Sequence, residues 1–169
     1  RGTGEFISAE QDIPMTWATH VDPESGRPVE SDNARYQVAN PLLDLPLEEQ
    51  VAVLAAMTAE EIEAAYHKPG PLGGHNWHPM SYSPDTGYVY IPALDMPFGY
   101  GNEPEFTYEE GRWNLGNDWR LGMPTGDQGV DDKVDGLLRG FVSAWDPVAQ
   151  KEVWRIQHAG TWNGGMLST

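Results

Sequence analysis

Ser81-Tyr82-Ser83-Pro84-Asp85-Thr86-Gly87-Tyr88-Val89-Tyr90-Ile91-Pro92 reads as strand, turn, strand. Tyr, Val and Ile suit a pleated, half-buried surface. Between them Pro84 presets φ, and Gly87 offers the positive φ that closes a tight turn. A hairpin written this way predicts antiparallel β structure. Immediately before it stands Gly70-Pro71-Leu72-Gly73-Gly74-His75-Asn76-Trp77-His78-Pro79-Met80. Its glycines let backbone approach a neighbour closely, and its prolines hold the chain extended. Among them sit Asn76, a carboxamide that hydrogen-bonds in two directions, and Trp77, a large flat ring able to stack. A rigid polar and aromatic loop feeding a hairpin has the form of a cofactor floor. The alternative is a buried turn whose Trp and His only pack.

The same turn chemistry recurs outward from this hairpin. Asp22-Pro23-Glu24-Ser25-Gly26-Arg27 precedes it and Asp146-Pro147-Val148-Ala149-Gln150-Lys151 follows it, at near-equal spacing, with Thr3-Gly4-Glu5 as a shorter member of the series. Antiparallel strands repeated at intervals of tens of residues point to a β-propeller. Strands are expected at Glu5-Phe6-Ile7, at Met15 to Thr19, at Leu137 to Trp145 and at Lys151 to Ile156. In the last of these, Trp154 and Ile156 would face one way, Val153 and Arg155 the other.

One stretch breaks the β pattern. From Pro46 to Tyr66, Leu47, Val51, Leu54, Met57, Ile62 and Ala65 recur at roughly helical spacing, with glutamates opposite. Thr58 followed by Glu61 has the form of a capping box, so two short helices are expected to meet near Met57. This insertion is either a lid or partner-binding element, or a surface excursion between strands. Leu94 to Asp135 shows no sustained period and reads as a long loop. Its acidic residues Asp127, Asp131, Asp132 and Asp135 lack the spacing of a calcium-binding EF-hand and read as a solvated face.

The totals are consistent with this. The 169 residues include 19 Gly and 14 Pro, which suits short strands joined by many turns, and seven Trp and seven Tyr, which supply large flat side chains. A net charge of −16 argues against a nucleic-acid partner. The absence of cysteine excludes disulfides and thiolate metal sites from this stretch. No apolar run is long enough to span a bilayer, and no signal peptide opens the chain. Both ends look cut, within a turn at Arg1 and at the start of a strand near Met166, so the chain reads as a piece of something larger.

Ala144-Trp145-Asp146-Pro147-Val148-Ala149-Gln150-Lys151-Glu152-Val153-Trp154 resembles the tryptophan-docking motif of the pyrroloquinoline-quinone (PQQ) dehydrogenases, A-x-D-x-x-T-G-K-x-x-W. Ala144, Asp146, Lys151 and Trp154 match; Ala149 and Gln150 depart from the Thr-Gly. The stretches GEFISAE, TWATHVDPESGRPVE, GPLGGHNWHPMSYSPDTGYVYIPA and WNGGMLST look, in that order, like the alcohol dehydrogenase branch of that family. The resemblance implies about three blades of an eight-bladed propeller, with residues 1–169 a central section of one domain and the helical insertion near 46–66 longer than the usual connection. It implies oxidation of an alcohol to an aldehyde with PQQ as hydride acceptor, in the periplasm. By position it makes Asn76, Trp77 and Trp162 the cofactor-binding residues. The catalytic Asp, the calcium ligands and the cysteine pair of the family correspond to positions N-terminal to this chain, and the haem c motif of quinohaemoproteins to positions after Thr169. Implied partners are a small alcohol, a cytochrome c or ubiquinone-linked acceptor and a membrane-associated subunit. A non-catalytic propeller scaffold of the outer-membrane assembly type shares the docking motif, but has no need of the HNWHPM loop.

Overall fold

A computed structural model describes residues 3–32, 34, 42, 45–102, 105–118, 124–161 and 164–169. The elements are β1 (Ala18–Val21), β2 (Pro28–Glu30), α1 (Leu47–Ala56), α2 (Ala59–Ala65), β3 (Ser81–Ser83), β4 (Tyr88–Asp95), β5 (Gly101–Asn102), β6 (Asn117–Asp118), α3 (Gln128–Asp135), β7 (Arg139–Asp146) and β8 (Lys151–His158). All strand pairs are antiparallel.

The expected hairpin is present, with Ser81 opposite Tyr90 and Ser83 opposite Tyr88. Gly87 takes φ +75°, where a side chain would be strained. β4 runs on past its partner to Asp95, and β7 pairs along that whole extension, from Val89–Trp145 to Asp95–Arg139. With β8 this makes a four-stranded sheet in the order β3-β4-β7-β8. β1 with β2, and β5 with β6, form two-stranded sheets.

The first and last turns of the repeat share one device. In the first, Asp22 Oδ1 accepts the N–H groups of Glu24 and Ser25 at 2.7 and 2.9 Å, and Gly26 takes φ +67°. In the last, Asp146 Oδ1 accepts those of Val148 and Ala149, each at 2.9 Å. There Gln150 stands at the motif's glycine position with φ +53°, a left-handed conformation that a side chain disfavours. Its carboxamide is engaged, accepting from Ser8 Oγ at 3.0 Å and donating to Pro147 C=O.

Two motif residues meet across the strands: Ala144, fully buried, lies opposite Trp154. The register shifts beside it, because Trp145 pairs with Glu152 and leaves Val153 as the extra residue of a bulge. Trp154 rests on Tyr90, ring centroids 5.8 Å apart, and Arg155 lies on the other face over Phe141 at 4.7 Å.

The helices follow the sequence closely. Thr58 N–H donates to Glu61 Oε2 at 2.8 Å and Glu61 N–H donates to Thr58 Oγ1 at 3.2 Å, completing the capping box. α1 has no basic residue in its last turn, and Lys133 of α3 supplies the charge from outside, donating to Ala55 and Met57 C=O at 2.8 Å each. Leu54, Ile62, Tyr66, Val130 and Leu137 close into a buried cluster with Leu42.

Four expectations are corrected. The first strand is displaced to Ala18–Val21, because its ladder follows the turn at Asp22 rather than the apolar run before it. Glu5-Phe6-Ile7 forms no strand. Residues 164–169 form none either; Met166 N–H donates to Pro79 C=O, a tie rather than a ladder. The span from Leu94 to Asp135 is more than a loop: it holds the end of β4, the β5–β6 ribbon and α3. The aspartates serve α3 locally, Asp127 Oδ1 accepting Gly129 and Val130 N–H at 2.9 and 3.1 Å, and Asp131 Oδ1 accepting from Thr125. Asp127 at a cap with Val130, Val134 and Leu137 at helical spacing was the available signal.

Candidate functional site

β3 covers only the first part of β4, and the Gly70–Pro79 loop runs alongside the part that β3 leaves open. Gly70 N–H donates to Met96 C=O at 2.7 Å, Leu94 N–H donates to Gly74 C=O at 2.8 Å, and His75 Nδ1 lies 2.9 Å from Pro92 C=O. The glycines make this approach possible. A Cβ on Gly70 would come within 2.7 Å of the Met96 carbonyl oxygen, and one on Gly74 within 2.3 Å of the Ile13 side chain. The loop is therefore a rigid extension of the sheet.

Asn76 and Trp77 sit at its far end. One amide N–H of Asn76 donates to Leu72 C=O at 2.8 Å, and its carbonyl accepts the Trp77 N–H at 2.9 Å. The carboxamide thus shapes the loop and retains a second N–H and a second lone pair for another group. Trp77 is 75% exposed, tilted 48° against the His78 ring. An exposed indole on a stiff support, beside a partly available amide, can receive a flat ligand bearing oxygen atoms. Trp162, the third expected cofactor residue, lies outside the described residues.

Pro71 and Leu72, earlier in the same loop, line a separate apolar cleft of about 510 Å³ with Tyr66, Phe98, Trp113 and Leu138. Neither Asn76 nor Trp77 borders it. Burial pushes the Tyr66 phenol up to about 12 and lowers His67, so both are neutral at neutral pH. Among the described residues no group of three or more His, Asp or Glu is placed to hold a metal ion.

No family model matches the chain. Individual relatives match it from end to end. The dehydrogenase subunit of an alcohol dehydrogenase (quinone) from Gluconacetobacter polyoxogenes is 40% identical over 169 residues, covering 99% of this chain and 20% of the relative. A 1-butanol dehydrogenase (cytochrome c) from Thauera butanivorans is 34% identical over 172 residues, covering 100% of this chain and 21% of the relative. Among solved structures, the quinohaemoprotein alcohol dehydrogenase of Pseudomonas putida superposes with a TM-score of 0.74 at 32% identity, covering 99% of this chain and 22% of that one.

This chain is related along its whole length to the quinoprotein alcohol dehydrogenases. It spans about a fifth of the length of the curated relatives it matches. The four-stranded antiparallel sheet is accordingly a propeller blade, and the fold is part of a β-propeller carrying short helices. What the residue pattern missed is how the chain seats this loop. Lys68, Glu63, Asp95 and Arg139 meet in an ion network at its base, and no motif marked them.

Proposed function

We propose that this chain is a section of a PQQ-dependent alcohol dehydrogenase and that its part in the whole enzyme is to form one wall of the quinone site. The observation that carries the reading is the loop stitched along β4, which presents Trp77 exposed and Asn76 with hydrogen-bonding capacity left over. These residues fit a planar quinone carrying carboxylates: Trp77 offers a flat face, and the second N–H of Asn76 offers a donor to a ligand oxygen. Trp162 joins them by its position in the family motif. Bound PQQ would supply the hydride acceptor for oxidation of the alcohol to an aldehyde. The segment's own residues hold and orient it; the base is assigned to a carboxylate elsewhere in the parent. Calcium, like haem c, is assigned in this reading to other parts of the parent polypeptide, as the family resemblance implies.

Residues 1–169 then form one section of a single propeller domain, in a periplasmic enzyme. Its substrate is a small alcohol and its electrons pass to a cytochrome c, as the name of the Thauera relative suggests, or to a ubiquinone-linked, membrane-associated subunit. The relatives' names favour a dehydrogenase over a non-catalytic scaffold. The test is a PQQ titration of the full-length apoenzyme in excess calcium. Asn76→Ala should weaken binding by about 1 kcal/mol, the scale of one neutral hydrogen bond. Trp77→Ala should weaken it more, through lost stacking area. If both variants bind PQQ as tightly as the parent, with unchanged circular dichroism, the loop is structural only.

A further inference from the structure

The chain entering the quinone-facing loop is anchored by buried charges. Lys68 is 5% exposed and Asp95 2%. The Lys68 ammonium donates to Glu63 Oε1 at 2.5 Å and lies 3.1 Å from Asp95 Oδ1. Arg139 approaches the same two carboxylates, at 3.7 Å from Glu63 and 3.5 Å from Asp95. Two cations and two carboxylates thus join the helical insertion, the end of β4 and the start of β7. Each carboxylate faces both cations, so the desolvation of one sign is offset by the other. The hydrogen bond from Lys68 is the main reason the Glu63 carboxyl is held below its ordinary range.

The backbone of Lys68 is held as firmly as its side chain. Its N–H donates to Thr16 Oγ1 at 2.9 Å, and its C=O accepts the Thr16 N–H at 2.9 Å. On either side of Lys68 the backbone is tied to the chain that leaves β4: His67 and Phe98 exchange N–H to C=O bonds at 2.9 Å each, and Gly70 meets Met96, the neighbour of Asp95. Lys68 and Asp95 therefore stand in the first part of the seam, between the His67–Phe98 pair and the contacts at Gly74–Leu94 and His75–Pro92.

We propose that Lys68 is a positioning residue for Asn76 and Trp77, and that its ion network couples the helical insertion to the quinone site. The proposal rests on the reading of the loop as quinone-facing. Neutralising Lys68 leaves two carboxylates at the base of the loop with reduced compensation. They turn toward water, the seam loosens beside Lys68, and the two loop residues remain present but displaced. Small displacements of a supported site are enough to lose affinity.

The experiment is a PQQ titration of the full-length apoenzyme, followed by tryptophan fluorescence, with hydrogen exchange of the loop amides in the same samples. Lys68→Met should weaken PQQ binding about tenfold, within the range found for residues acting through a network, and should speed loop exchange. Lys68→Arg, keeping the charge, should restore most of the affinity. The double variant K68M/N76A should bind little more weakly than the worse single one, because both changes remove the same contact. Lys133→Met releases α3 from the end of α1 without touching the network and should leave PQQ affinity unchanged. If Lys68→Met does not fold, Arg139→Gln, at the outer side of the network, should show the same pattern at smaller size. Parent-like binding by the folded Lys68 or Arg139 variant, with Asn76→Ala weakened, overturns the proposal and leaves the loop reading standing. Parent-like binding by Asn76→Ala and Trp77→Ala as well removes both. Fully multiplicative losses, or a loss in Lys133→Met equal to that in Lys68→Met, make Lys68 a general structural residue and overturn it too.

Discussion

Ile62 in α2 and Trp154 in β8 are both large apolar side chains, yet Ile62 is fully buried and Trp154 is 38% exposed. The contrast extends to their surroundings. Around Ile62, Leu54 and Val130 are fully buried too, and the three helices cover one another's apolar stripes. Around Trp154, Val153 and Ile156 are 40% and 60% exposed. A helix satisfies its backbone internally, so burying one stripe completes it. A sheet has two faces and two edges, and a blade leaves faces to be covered by its neighbours. The three-helix cluster closes on itself, whereas the blade has surface left to cover.

The strongest way to break this comparison is to open the helical cluster. In the full-length parent, Ile62→Ala should lower the local protection of α1, α2 and α3 amides by about 2–5 kcal/mol. Hydrogen exchange should find β4 and β7 unaffected, and an equal fall in the sheet would show that the two regions are one cooperative unit. Next in size is Gly70→Ala, where the added Cβ meets the Met96 carbonyl at 2.7 Å. Overpacking of this kind costs about 1–3 kcal/mol. It should be read in faster exchange of residues 70–76 and weaker PQQ binding, with the helices unmoved.

The pH response sharpens the comparison at the junction of the two regions. The folded state holds the Glu63 carboxyl below 4.5, so the stability it contributes is present above that value and is lost as the pH falls further, through the folded pKa. Glu63 is 29% exposed, and solvent screening keeps the effect small. Exchange at the α2–Lys68 junction should rise on acidification in the parent and much less in Glu63→Gln. The smallest expected effect lies in the blade's last turn. Gln150→Gly relieves a positive φ but removes the bond to Ser8, and should change stability by less than about 0.5 kcal/mol. Gly87→Ala, at φ +75° with no compensating contact for its methyl, should destabilise by about 1 kcal/mol. Thermal melts of both variants beside the parent would check the pair.

Much of the fold was legible because its signals are local. Thr58 and Glu61 announce a cap three residues apart, and Gly87 announces a turn that its own φ requires. Ala144 and Trp154 could be matched because a docking motif keeps fixed spacing. α3 went unread because Gly129 and its aspartates mask its two apolar positions, Val130 and Val134. The candidate site was half legible. Asn76 and Trp77 stand out by residue type, but nothing local shows that Asn76 also hydrogen-bonds within its own loop.

The sequence by itself determined the antiparallel hairpins, the two short helices of the insertion and the chemical character of the Gly70–Met80 loop, since each depends on residues a few positions apart. Only the tertiary structure decided what that loop rests on. Glu63, Lys68, Asp95 and Arg139 are scattered along the chain, and their meeting follows from β4 outrunning β3 and from α2 ending beside it. Hydrogen-bonded turns are encoded by neighbours, while a buried charge chooses its partner only after the backbone has brought distant residues together and shut water out.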